Sequence, residues 1–382
     1  MIVKKFLQIA LLASSMLVLA GCGRLGDSDL ANNATTTNNK TKKYQTTSTN
    51  SGYTVLLKNG KYVTSSTSGL TSSDLDNTVD SEALERGLVN LDKNVFSTNK
   101  YVFQEGQKIS SSTISSWLMR ESKSYPDGLN PKNNGKTGET TRNPVILNQI
   151  LEQDFLTGSG SNYKLSGISL GLALNSIDYY QKTTGGPQYS SNISRSKQEE
   201  YGKETADKIV ARLRKKKGMK NIPIMISLFS KTSQDSLVGG TFFAYGVAEG
   251  NSSKITNWKS VSEKSQVLPT VNNESPVNSD DASAFNSFKS AIEDYFPNLS
   301  GVVATVRYQN DKLTQENIQI TTQFYGYVQI QSFTRLVQSE AKKYLAKDVP
   351  IEIKISSVND VQAIVYKNSG DDSYSSHIYG GE

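Results

Sequence analysis

The sequence predicts an α+β fold, mixed sheets packed with helices, with a candidate duplication of a helix-strand-helix-strand unit. Short aliphatic runs at 165–174, 222–230, 299–308 and 349–357 read as strands. Between them, 196–217 and 327–345 carry apolar residues at helical spacing. The two sets resemble each other. Each first strand opens Leu-Ser-Gly (Leu165 and Leu299), each later strand opens with an aliphatic residue, Pro and Ile (Ile222-Pro223-Ile224 and Val349-Pro350-Ile351), and an acidic helix end precedes each set (Ile150–Phe155 and Ala291–Phe296). Extra hairpin strands are expected at 313–324 and 361–366.

In chain order, residues 1–21 read as an export signal. Lys4 and Lys5 form a basic head, residues 6–20 are mostly apolar, and Leu19-Ala20-Gly21-Cys22 closes the run with small residues. The run is too short for a bilayer span. It ends on the only cysteine, so cleavage is expected between Gly21 and Cys22, and lipidation on the Cys22 sulfur. Two acyl chains there would hold the protein durably, at ~0.8 kcal/mol per buried methylene. The expected location is the outer face of the cytoplasmic membrane, and the expected partners are membrane lipid, a signal peptidase and a lipid-transfer enzyme.

Residues 22–51 lack large apolar groups and read as a flexible stalk. Residues 52–142 open with a hairpin turning at Asn59-Gly60. Helices are expected at 81–96, with Asp80 as cap and Leu84, Leu88 and Leu91 inward, and at 110–122 around Ile114, Trp117 and Leu118. A Lys/Asn/Gly/Pro-rich loop covers 123–142, and Asn143-Pro144 predicts a helix start with Ile146, Ile150, Leu151 and Phe155 as its apolar stripe. The first α+β unit is assigned to 143–250, a polar connector to 251–280, the second unit to 281–367 and a polar tail to 368–382.

Composition narrows the function. One cysteine excludes an intramolecular disulfide, and one histidine, His377 in the polar tail, leaves Ser-His-Asp and Cys-His catalysis without a base and zinc without its usual ligands. The net charge of +6 falls to +4 without Lys4 and Lys5, too little for a dedicated nucleic-acid binder. No phosphate-loop, dinucleotide or calcium-loop motif is present, and Gly185-Gly186-Pro187 and Gly239-Gly240 read as turns or bulges. No cofactor is expected.

Three side-chain groups remain. Glu152, Asp154 and Asp178 could do acid–base work, but on a helix Glu152 and Asp154 would point about 200° apart, which favours solvated helix-end carboxylates. Arg212, Arg214, Lys215, Lys216, Lys217 and Lys220 could attract anionic lipid or wall polymer, or simply complement a helix C-terminus. Tyr179 and Tyr180, among nineteen tyrosines, could stack on sugars or peptides, or be half-buried.

The runs Gly128-Leu-Asn-Pro131, Ile150-Leu-Glu-Gln-Asp-Phe155, Leu165–Ser176, Tyr179-Tyr-Gln-Lys182 and Ile353–Val358, with the Leu-Ala-Gly-Cys box, resemble the CamS family of Firmicute lipoproteins. The resemblance spans about residues 50–367. It implies a sex-pheromone precursor, in which the apolar peptide before the lipidated cysteine, here Ser15-Met16-Leu17-Val18-Leu19-Ala20-Gly21, is trimmed from the signal and released. The expected function is therefore a non-enzymatic surface lipoprotein; the alternative is an envelope-binding module for wall glycan, peptide or an envelope protein.

Overall fold

The computed structural model describes residues 44–47, 52–71, 78–295, 299–358 and 360–380. The signal segment, Gly21, Cys22 and the heptapeptide Ser15–Gly21 lie outside the described residues. The α+β class holds, with mixed sheets and helices on their faces.

The first sheet has nine strands among the described residues. It starts with β1 (Tyr44–Thr47), β2 (Thr54–Lys58) and β3 (Lys61–Tyr62), followed by helix α1 (Thr78–Asp92), β4 (Val102–Glu105) and helix α2 (Ser111–Leu118). Asn59 and Gly60 take positive φ between β2 and β3, the tight turn their sequence predicts. β1 falls inside the expected stalk. Its backbone pairs with β2 from Tyr44–Lys58 to Thr47–Val55, so polar composition did not keep this stretch out of the sheet.

Residues 147–159 form strand β5 (Leu147–Ser159), not a helix, in antiparallel register with β6 (Asn162–Leu174). The Asn-Pro pair precedes a strand, and the spacing that looked helical arises because β5 is central and covered on both faces, with Leu147 through Leu156 buried or nearly so. β7 (Ile177–Gln181) and β8 (Gln188–Asn192) form a separate hairpin. Then come α3 (Arg195–Arg214), β9 (Ile224–Ser230), β10 (Thr241–Ala248) and β11 (Trp258–Ser260). Sheet order is β1-β2-β4-β5-β6-β9-β10-β11, with β3 beside β2.

Helices cover this sheet on both sides. α1 buries Leu84, Leu88 and Leu91 against Phe96, Phe155, Phe229 and Phe242. α2 and α3 bury Ile114, Trp117, Ile209, Val210 and Leu213 on the other face, against Ile150, Leu170 and Ile226. Ser110 and Ser194 cap α2 and α3 by accepting from Thr113 N–H and Lys197 N–H. Asp80 is no cap for α1. It lies within the first turn and accepts instead from Gly240 N–H at 2.7 Å and from the Thr232 amide and hydroxyl, tying the helix to the β9–β10 connection.

The expected connector holds β11 and β12 (Glu263–Leu268), between which the chain passes to the second sheet. After α4 (Ser279–Glu293) come β13 (Leu299–Gln309), β14 (Lys312–Thr322), α5 (Tyr327–Tyr344), β15 (Ile351–Ser356), β16 (Val361–Lys367) and β17 (Ser375–Ile378), in sheet order β12 to β17. The polar tail therefore contributes a strand, β17, in which His377 pairs with Ile364 in the backbone while its side chain stays exposed. α4 and α5 cover one face through Phe285, Phe288, Phe333 and Val337. Neither of these two helices covers the opposite face.

A repeat is visible in the topology. β5–β6–α3–β9–β10 and β13–β14–α5–β15–β16 each consist of an antiparallel hairpin, a helix, a strand parallel to the hairpin's second strand, and an antiparallel return. The Ile/Val-Pro-Ile openings occupy equivalent places, since Pro223 O accepts from Ile168 N–H and Pro350 O from Glu316 N–H. The Leu-Ser-Gly match does not: it equates β6 with β13, whereas the counterpart of β6 is β14. The acidic-helix match fails too, because Ile150–Phe155 is strand.

Candidate functional site

Glu152 and Asp154 are brought together by the strand. Two apart on a strand, they share a face, the reverse of the helical expectation. Both are buried, at 1% and 0% exposure, so neither can touch a substrate in this conformation. The 106–109 loop closes over them. Glu152 accepts from Lys108 N–H at 2.8 Å and Ile109 N–H at 3.0 Å, Asp154 accepts from Gln107 N–H at 3.1 Å, and Lys108 Nζ stands 4.0 Å from Asp154. A side chain at Gly106 would overlap Glu152, so the close approach needs glycine. Burial, then the Glu152 charge, pushes the Asp154 carboxyl up to about 9; burial also raises Glu152, against the two amides that lower it. The pair is a loop clamp holding a proton at neutral pH.

Asp178 lies elsewhere, on the β7–β8 hairpin. It pairs with Arg142 and accepts from Val145 N–H at 2.8 Å. The Arg142 guanidinium lies 3.8 Å from the Tyr180 ring centre, and Lys182 Nζ lies 4.1 Å from that of Tyr189. Tyr179 and Tyr180 are half-buried, and one face each of Tyr180 and Tyr189 carries a cation. Tyr179 contacts the β9–β10 connection, where its hydroxyl accepts from Gln234 N–H at 3.3 Å.

These groups border a basin of about 250 Å³ between the hairpin and the 120–143 loop. Arg120, Lys136, Arg142 and Lys182 line it, and no carboxylate does. Arg120 is held by Pro131 O at 2.8 Å and Asn143 O at 2.9 Å; burial lowers its pKa. With Asp178 behind Arg142, four cations against one carboxylate leave a net +3. Lys136 and Lys182 are exposed, Lys182 resting on the Tyr189 ring. The sequence hid this cluster because its cations are spread over some sixty positions, on a loop and a hairpin that only the fold brings together.

Three of the six cations in the basic run 212–220 are engaged in the fold, while Lys215, Lys217 and Lys220 stand exposed. Arg214 donates to the carbonyls of Met219, Ile222, Ala248 and Ser252, Arg212 to Asp127 O, and Lys216 to Lys108 O. These bonds tie the end of α3 to its surroundings. Gly239 and Gly240 lie in the loop just ahead of β10, neither in a turn nor at the bulge, which falls between Phe242 and Ala244. Asn130 went unnoticed as a single residue: fully buried, it donates to Leu118 O and Leu147 O and accepts from Ile146 N–H and Leu147 N–H, all at 2.8–2.9 Å.

Two mixed sheets linked in tandem, one with helices on both faces and one on a single face, define a two-sheet α+β body with its basic basin on the first. The chain belongs to the family described as CamS sex pheromone cAM373 precursor, which matches residues 62–373. The crystal structure of a sex pheromone precursor from Lactobacillus salivarius subsp. salivarius UCC118 is similar at 38% identity and a TM-score of 0.84, covering 89% of this chain and all of that one. The C-terminal domain of the sex pheromone staph-cAM373 precursor from Staphylococcus aureus is similar at 30% identity and a TM-score of 0.68, covering 80% of this chain and 98% of that one. No curated protein matches the chain.

Proposed function

We propose that the protein is a non-enzymatic surface lipoprotein of the CamS type, anchored through acylated Cys22 to the outer face of the cytoplasmic membrane, whose spent signal releases the heptapeptide Ser15–Gly21. The observation that carries this reading is the Leu-Ala-Gly-Cys box around the only cysteine, in a chain whose family is that of a pheromone precursor. A seven-residue apolar peptide leaves a bilayer that would retain the whole signal, because it buries far fewer methylenes. Labelled palmitate enters the wild-type chain and not Cys22→Ser, which is released to the medium; unlabelled wild type, or membrane-bound Cys22→Ser, overturns the anchor. Mass spectrometry of culture medium finds the heptapeptide if processing occurs as proposed.

The basin supports a second role for the folded body, binding an anionic wall polymer. A net positive hollow with two exposed lysines suits repeated phosphates at salt-sensitive affinity. Full-length protein in detergent is expected to be retained on purified wall, and Lys136→Gln/Lys182→Gln to release it at lower salt. Equal retention of the two proteins removes this reading.

A further inference from the structure

The second sheet has one face packed by α4 and α5 and one without them. Period-2 alternation along β12, β13 and β14 puts Val306, Tyr308 and Ile318 in the core and turns Arg307, Glu263 and Gln315 to the open face. Opposite stands α1. Its inner stripe is Leu84, Leu88 and Leu91, so its outer stripe, Arg86 and Asn90 four residues apart, looks toward that open face. A cavity of about 280 Å³ lies between, continuing past the two arginines into one of about 150 Å³; Arg86 and Arg307 line both.

The two guanidiniums are near enough that the Arg86 charge, after burial, helps lower the Arg307 pKa. Among the described residues neither makes an ion pair or donates a hydrogen bond, unlike Arg120, Arg142, Arg212 and Arg214, all of which do. Among the described residues Glu263 lines the first cavity beside Arg307, with its Oε2 engaged by Phe242 N–H at 2.9 Å, and Glu82 lines the second beside both arginines. Converging cations with open donors are held together against their mutual repulsion, an arrangement an oxyanion relieves.

We propose that this cleft binds a small phosphomonoester of a sugar or polyol, its phosphate held by Arg86 and Arg307. Charge selects the group. Two guanidiniums match a phosphate carrying close to two negative charges, whereas a carboxylate or a phosphodiester carries one. Size selects the rest: a space at the low end of ligand pockets, roughly 300 Å³ and upward, takes one sugar or polyol and not a polymer or a peptide. Asn90 and Gln315 supply amides for its hydroxyls. The site is separate from the basin and does not rest on it.

The test is calorimetric titration of full-length protein in detergent with glycerol 3-phosphate and glucose 6-phosphate, with dimethyl phosphate, inorganic phosphate and glycerol as controls. Saturable binding of one of the two monoesters is expected, tightening from pH 5 to 7.5 as the phosphate loses its second proton near pH 6. Arg86→Gln, on an exposed helix face and safe for folding, weakens it at least tenfold, as does Arg307→Lys; Lys136→Gln/Lys182→Gln leaves it unchanged. Absence of saturation with both monoesters, equal affinity for dimethyl phosphate or inorganic phosphate, or undiminished affinity in Arg86→Gln overturns the proposal.

Discussion

Replacing Asp154 by Asn should make the protein more stable at neutral pH, although it removes a buried group from the centre of the first sheet. The folded carboxyl is pushed up to about 9, chiefly by burial, while in the unfolded chain it titrates near 3.9. The folded state therefore holds a proton that the unfolded state has released. Between those values stability falls as pH rises, because the native form binds more protons. At pH 7 the difference is about three pH units, and at 1.36 kcal/mol per unit the penalty is at most about 4 kcal/mol. Asn copies the neutral acid in shape and still accepts from Gln107 N–H, so it avoids the penalty at the cost of slightly altered geometry. A net gain of roughly 2 kcal/mol at pH 7 is expected, shrinking to nothing by pH 4. Urea unfolding followed by tryptophan fluorescence measures it, since Trp117 and Trp258 both pack in the first core. A difference between variant and parent that stays flat from pH 4 to 8, or a loss above 1 kcal/mol at pH 7, would refute the reasoning.

Three further outcomes are expected. Asn130→Ala leaves two carbonyls and two amides without their buried partner and should cost roughly 3–5 kcal/mol in the same unfolding assay. Gly167→Ala places a methyl group into the Phe96 ring, which stacks on Phe155 at 4.1 Å; a loss of roughly 1–3 kcal/mol is expected, and restoration by Phe96→Leu would locate the clash. Glu316 is buried in the second sheet and its carboxyl is pushed up to about 7, by burial first and then by Asp281. Its contribution to stability is complete below about pH 4 and declines until about pH 7, so Glu316→Gln should flatten the pH dependence of the second core's melting in that window, read by calorimetry.

How much of this was legible beforehand depends on what each residue's neighbours do. α1, α3 and α5 were readable because their apolar stripes face a single sheet and their other faces are wet, so the helical period survives in the sequence. β5 was not. Its polar residues Gln149, Glu152, Gln153 and Asp154 are buried, with loop amides replacing water around the two carboxylates, and the period-2 contrast that marks a strand vanishes. The same error hid the carboxylate pair, since its geometry was judged on the wrong backbone. β1 and β17 were missed for a different reason: edge strands of Ser, Thr and Tyr gain their order from a neighbour's ladder, which composition does not record. The basin and the Arg86–Arg307 cleft are assembled from distant positions, and no local pattern announces either.

The two proline-led strands have a consequence for how this architecture tolerates change in length. In each half a proline, lacking an amide hydrogen, stands immediately ahead of the parallel strand, and its carbonyl receives the first bond from the neighbouring strand. One residue inserted after Pro223 or Pro350 would slide the strand by a step and turn its inward side chains outward. One inserted in 215–222 or 345–349, upstream of the proline, would only lengthen a bend. Indels among relatives should therefore collect on the helix side of these two prolines and be rare on the strand side.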